Sequence, residues 1–157
     1  MMKLNLLSLK PWLTLALLST ASFSQTGQNV FNDEVLHEIR IDFISLGADW
    51  PDSLDASIRI WQQDQSPTRE HSYHPARLTF DGEVLDTIGV RYKGEYSLSF
   101  KKKPLKLDIN EFVKGQKLDG LKKLNLQAAA DDPSQLHDKL VYDMFKWVGI
   151  PAPRSSF

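Results

Sequence analysis

At 157 residues the chain has room for one domain or a piece of a larger one. It contains no cysteine, which excludes a disulfide framework and any thiolate metal site. Its 19 basic and 20 acidic residues nearly balance, and that argues against general nucleic-acid binding, where the whole domain is usually basic.

Residues 1–24 read as a secretory signal peptide. Lys3 and Lys10 supply a basic start, Pro11 to Ser19 an apolar run, and Ser22-Phe23-Ser24 small residues at the −3 and −1 positions of a cleavage site. A retained anchor is the competing reading, but the apolar run falls short of the ~20 residues that span a bilayer. The expectation is therefore an exported protein (secreted, periplasmic or at the cell surface) with no transmembrane anchor in the mature chain. Without Lys3 and Lys10, 17 basic residues face 20 acidic ones, a net charge of −3. The charge is unevenly placed: residues 31–70 hold nine acids and three arginines, and a basic stretch follows.

Residues 25–34 are polar and read as a flexible mature N-terminus. Val35 to Ile44 alternates, with Val35, His37, Ile39, Ile41 and Phe43 on one side, as a half-buried strand does. After a turn at Gly47, Pro51 to Gln63 is predicted to be an amphipathic helix. Asp49 is its candidate cap, and Leu54, Ile58 and Trp61 fall on one face. Asp64 to Pro75 carries Ser66-Pro67 and His74-Pro75 as breakers and reads as a loop. Asp81-Gly82 between Ala76–Phe80 and Val84–Lys93 is a strong hairpin signal, because both residues tolerate positive φ.

The stretch from Gly89 to Gln127 organises the rest. Ile88, Val90 and Tyr92 oppose Gly89, Arg91 and Lys93; Leu105, Leu107 and Ile109 oppose Lys106 and Asp108; Leu124 and Leu126 oppose Lys123, Asn125 and Gln127. Six basic residues and one acid lie between Arg91 and Lys106, the clearest chemical signal in the chain. Lys103 shares the parity of Leu105 and Leu107 and is expected to point inward, where it needs an acid or a phosphate to offset its desolvation. Pro104 has no N–H for a ladder bond, so an edge or a bulge is expected there. Asp119-Gly120 marks a second tight turn.

The last predicted element is a helix with Asp132 as N-cap, Pro133 at its first position and Gln135 reaching back to the cap. Leu136, Leu140, Val141, Met144, Phe145 and Val148 form one apolar face, and Gly149 stops it. Such a face is expected to lie against the sheet. The fold class is α+β: an antiparallel sheet with packed helices, one near its N-terminal end and one at the C-terminus.

Three pieces together resemble the spore-coat-protein-H (CotH) kinase family: LHEIRIDF and the ADW turn; ARLTFDGEVLDTIGVRYKG; and the run from KKPLKLDINEF through DDPSQLHDKLVYDMFKWVGIPAPRSSF. They cover nearly all of an incomplete domain over residues 35–157. The resemblance implies the N-terminal half of an atypical protein-kinase-like fold. It implies transfer of phosphate from ATP, with Mg or Mn, to serines of exported proteins. It places the catalytic and metal-binding acids in a lobe beyond Phe157, so this chain by itself is expected to be inactive. Arg91 and Lys93, on one strand face, and Lys103 then become candidate phosphate-binding cations, with Asp138 as a possible ion-pair partner. The family's Arg-Glu-Lys helix start reads His137-Asp138-Lys139 here, so the acid is one methylene shorter.

The bland alternative for these cations is a solvated strand edge guarded against aggregation. Fungal relatives that act as adhesins supply a second class, a non-catalytic extracellular binding module, and a partly unfolded piece is a third reading. The four histidines (His37, His71, His74, His137) lack ligand spacing, and His71 and His74 with Glu70 are a weak metal candidate set against a plain loop. Asp131-Asp132 could mimic a metal pair, but capping explains Asp132, and no nucleophile-elbow motif supports a hydrolase.

Overall fold

The computed structural model describes residues 26–46, 49–64 and 71–157. The signal at 1–24, the turn at Gly47, the Ser66-Pro67 breaker and Glu70 lie outside the described residues. The fold is α+β. Five antiparallel strands run in sequential order: β1 (Ile39–Phe43), β2 (His74–Phe80), β3 (Glu83–Tyr92), β4 (Leu105–Asp108) and β5 (Lys123–Leu126). Helix α1 (Trp50–Gln63) joins β1 to β2, and α2 (His137–Trp147) follows β5. Among the described residues no helix is long and apolar enough to cross a membrane.

The alternation read from the sequence sets the two faces of the sheet. Val90 pairs with Leu107 and Leu107 with Leu124, all three buried, while the neighbouring row of Arg91, Lys106 and Asn125 faces the other way. Ala76, Leu78, Ile88 and Ile109 complete the main core. Leu54 and Ile58 of α1 form a second cluster with Tyr92 and Leu98. A bulge interrupts the register between Ala76 and Leu78, and Thr87 opposite it has φ +57°. That extra residue is why Val84 is exposed while Ile88 is buried, a parity change that plain alternation does not foresee.

Both Asp-Gly turns form as expected, with φ +48° and +88° at Asp81-Gly82 and +47° and +80° at Asp119-Gly120. Their aspartates also act as latches. The Asp81 carboxylate accepts from His37 Nδ1 at 2.6 Å and from Glu38 N at 2.8 Å, and the first of these bonds leads in holding its pKa down. The Asp119 carboxylate accepts from Asn29 N at 2.6 Å, and its backbone carbonyl accepts from Gly27 N at 2.7 Å. Residues 26–34, within the stretch read as flexible, are thus tied to the β4–β5 side of the molecule, with Val30 in the core.

Several boundaries differ from the expectation, each for a physical reason. β1 starts at Ile39 rather than Val35, because Ile39 pairs with Phe80 and the chain turns at Asp81, leaving 35–38 no strand to pair with. Asp49 stands at the N-cap of α1 but makes no side-chain capping bond. β2 reaches back to His74, so Pro75, read as a breaker, lies inside the strand opposite Gly89. Pro104 precedes a central strand, not an edge; its carbonyl accepts from Lys93 N at 2.9 Å, and the edges are β1 and β5.

The largest correction concerns α2. It begins at His137, not at Pro133. Asp132 accepts from Ser134 N, Ser134 Oγ and His137 N, and this local network, with Gln135 at φ +59°, holds the chain out of helical geometry. Those bonds, the one from the Ser134 hydroxyl foremost, push the Asp132 pKa down to about 2. The apolar face of α2 is exposed, and its one buried residue is Lys139. Lys139 Nζ pairs with Asp33 at 2.9 Å and with Asp143. Burial opposes its charge, but the two acids outweigh that and raise its pKa. Arg154 Nη1, donating to Thr26 O at 2.6 Å, and Ser156 Oγ, donating to Val30 O at 2.9 Å, tie the tail beyond α2 to the N-terminal segment. The stop at Gly149 is as read: Gly149 N bonds Lys146 O and Ile150 N bonds Phe145 O, a Schellman motif.

Candidate functional site

The basic stretch resolves into four separate settings. Arg91 Nη1 donates to His71 Nδ1 at 2.9 Å and to Tyr92 O at 3.0 Å, and its guanidinium lies over the Tyr73 ring at 5.2 Å. The cavity beside it is about 10 Å³, the space of one water and too small for a phosphate. Lys103 does point inward, as its parity implied, with a side chain only 16% exposed. Its partner is Asp55 of α1 at 3.3 Å, not Asp138, and its ammonium sits 5.5 Å from the centre of the Tyr92 ring. Lys101 and Lys102 are exposed, in line with the solvated reading.

Lys93 is placed differently. It lines a cleft of about 350 Å³ between the β3–β4 connection and the β5–α2 connection, and Asp131 and Asp138 line the same cleft. The structure therefore brings Lys93 and Asp138 together and leaves Arg91 and Lys103 outside. The volume falls in the range of small-molecule sites, roughly 300–1,000 Å³.

The local sequence explains how Lys93 is presented. β3 ends at Tyr92, and Gly94 turns the chain with φ +86°; a Cβ there would lie 2.3 Å from Ser97 Oγ. Ser97 Oγ donates to Lys93 O at 3.2 Å, closing the turn under the lysine. A short 3-10 turn over Tyr96–Ser99 follows, anchored by Leu98 in the second core cluster. It sets Tyr96 edge-to-face with Phe100, ring centres 5.3 Å apart, and both rings line the cleft. On the opposite side Ala128, Ala129 and Ala130 add only methyl groups.

Sequence reading missed the aromatic pair and the Asp55 partner. The signal available in EYSLSF is two aromatics, Tyr96 and Phe100, four apart beside the lysine. Asp55 was hidden among the acids of residues 31–70. The histidines are occupied by ordinary contacts. His74 Nε2 meets Ser57 Oγ at 2.8 Å, with burial lowering its pKa, and His71 packs on Trp61. Among the described residues no three His, Asp or Glu side chains converge on one point.

By geometry, the chain is an α+β domain whose cleft combines a cation, acids and an aromatic ledge. Residues 90–157 match the family model described as CotH kinase protein. The matched segment contains Lys93, Asp138 and the whole lining of the cleft. No curated protein and no solved structure matches the chain.

Proposed function

We propose that this chain forms the phosphate-binding part of the nucleotide cleft of an exported CotH-like protein kinase. The observation that carries the reading is Lys93 set with Asp138 in a small-molecule-sized cleft inside the segment that matches the family. Phosphoryl transfer asks little covalent chemistry of the protein and depends on cations placed at the phosphates. In this reading the Lys93 ammonium faces the phosphates as a point charge. The reaction breaks the bond between the γ-phosphorus and the β–γ bridging oxygen of ATP. It forms a bond from that phosphorus to a serine hydroxyl of an exported protein, whose proton leaves. A divalent metal would supply further charge at the phosphates; no residue described here is assigned to hold it.

Arg91 and Lys103 take structural roles, one bracing the His71–Tyr73 segment and the other joining α1 to the start of β4. Equilibrium binding of ATP to the full chain tests the assignment. Lys93→Ala is expected to weaken binding about tenfold or more, the effect of losing a charged hydrogen bond to phosphate, and Lys101→Ala to leave it unchanged. No ATP binding by the parent, or equal losses in the two variants, overturns the reading. A non-catalytic binding module is the second reading, and the exposed apolar face of α2 favours it.

A further inference from the structure

Tyr96 is 75% exposed, although an aromatic residue of that size normally gains from burial. It is not loosely held. Ser99 Oγ donates to Tyr96 O at 2.8 Å, Leu98 fixes the turn into the core beside Leu54 and Ile58, and Phe100 props the ring edge-on at an interplanar angle of 79°. A rigid, solvent-facing aromatic three residues from the candidate phosphate cation, in the same cleft, is a platform for a flat ring. The alanine wall opposite leaves the slot open, and Gln127 is the one side-chain amide on the lining.

Resting on the phosphate reading above, we infer that Tyr96, propped by Phe100, is the nucleobase platform of the cleft, and that the site takes purine nucleoside triphosphates as a class rather than ATP alone. Stacking on an aromatic face tolerates different bases, because every base offers a π-face. An amide such as that of Gln127 carries both a donor and acceptors, so it meets the edge of adenine or of guanine. The larger purine ring covers more of the tyrosine than a pyrimidine does. The bound nucleotide then lies with its base on Tyr96 and its phosphates toward Lys93.

The test is equilibrium binding of ATP, GTP, UTP and inorganic tripolyphosphate to the full chain and to Tyr96→Ala and Tyr96→Phe. ATP and GTP are expected to bind within about threefold of each other, with UTP weaker and tripolyphosphate about tenfold weaker or more. Tyr96→Ala should bring ATP down to the level of tripolyphosphate and leave tripolyphosphate unchanged; Tyr96→Phe, which keeps the ring, should retain ATP binding. Tripolyphosphate binding as tightly as ATP, or ATP binding unaffected by Tyr96→Ala, sinks the platform and leaves the phosphate site standing. UTP matching ATP, or GTP failing to bind, overturns the purine class. Failure of both ATP and tripolyphosphate to bind removes the phosphate reading and the platform with it.

Discussion

Leu107 in β4 and Leu140 in α2 each sit in the middle of an apolar stripe, yet Leu107 is fully buried and Leu140 is 52% exposed. In the sheet, cross-strand neighbours on both sides close over the side chain, so alternation and burial coincide. In α2 the stripe is as regular, but the helix is held from its other side. Lys139 reaches Asp33 across the molecule and Asp143 on its own helix, and the tail after Gly149 is tied to the N-terminal segment. Periodicity reports that a segment has two faces. Which face turns inward depends on what the rest of the chain offers, and here the described residues offer α2 charges.

The sharpest way to break the contrast is at the sheet. Leu107→Ala removes a side chain with no exposed surface between two buried neighbours, and a loss of about 2–5 kcal/mol is expected from transfer and cavity terms together. Urea denaturation followed by far-UV circular dichroism measures it. A loss below about 1 kcal/mol would mean that this strand is not central to the core.

Next in size is the polar anchor of α2. Lys139→Met keeps the length of the side chain but strands Asp33 and Asp143 without their cation, and a loss of about 1–3 kcal/mol is expected. The loss should be local. Amide hydrogen exchange should rise through α2 while the amides of β2, β3 and β4 keep their protection, because the sheet core contains none of these groups. Unchanged exchange in α2 would show that something other than Lys139 holds it.

The meeting of α1 with the sheet gives a pH-dependent contrast. Burial, with the charges of Asp55 and Asp52 adding to it, pushes the Tyr92 pKa from its ordinary 10.0 up to about 12. Because the folded value is raised, the contribution to stability is complete below the unfolded value. It is lost as pH rises from there through about 12. Thermal melts across that window should show a fall in Tm that Tyr92→Phe reduces. An equal fall in the variant would assign the alkaline loss to other groups.

The sheet was legible because each of its signals is local: alternation, two Asp-Gly turns, and a lysine whose parity turned it inward. What stayed hidden involved partners distant in sequence. Nothing near Lys103 names Asp55, and nothing near Lys139 names Asp33. The capping signal at Asp132 was real, but the aspartate spent its oxygens on a turn ahead of the helix and moved the helix start to His137. At the candidate site the lysines were visible as a group, and the separation of Lys93 from Arg91 and Lys103 was not. Parity assigns a face of a strand, and Lys93 lies just past the end of its strand, where Gly94 redirects the chain.

The smallest expected effect comes from the exposed stripe of α2, where the contrast with Leu107 is most direct. Leu140→Gln with Met144→Gln exchanges two exposed apolar side chains for polar ones of nearly equal helix propensity. If the helix is held by its charged side, stability should change by no more than about 0.5 kcal/mol, as for other surface substitutions. The same urea titration used for Leu107→Ala measures it, and size-exclusion chromatography over a range of concentrations adds a second readout. A contiguous exposed apolar face promotes association, so the variant should stay monomeric to higher concentration than the parent. A loss near that of Leu107→Ala would mean that the stripe is covered in solution, and that α2 and the sheet bury their apolar faces after all.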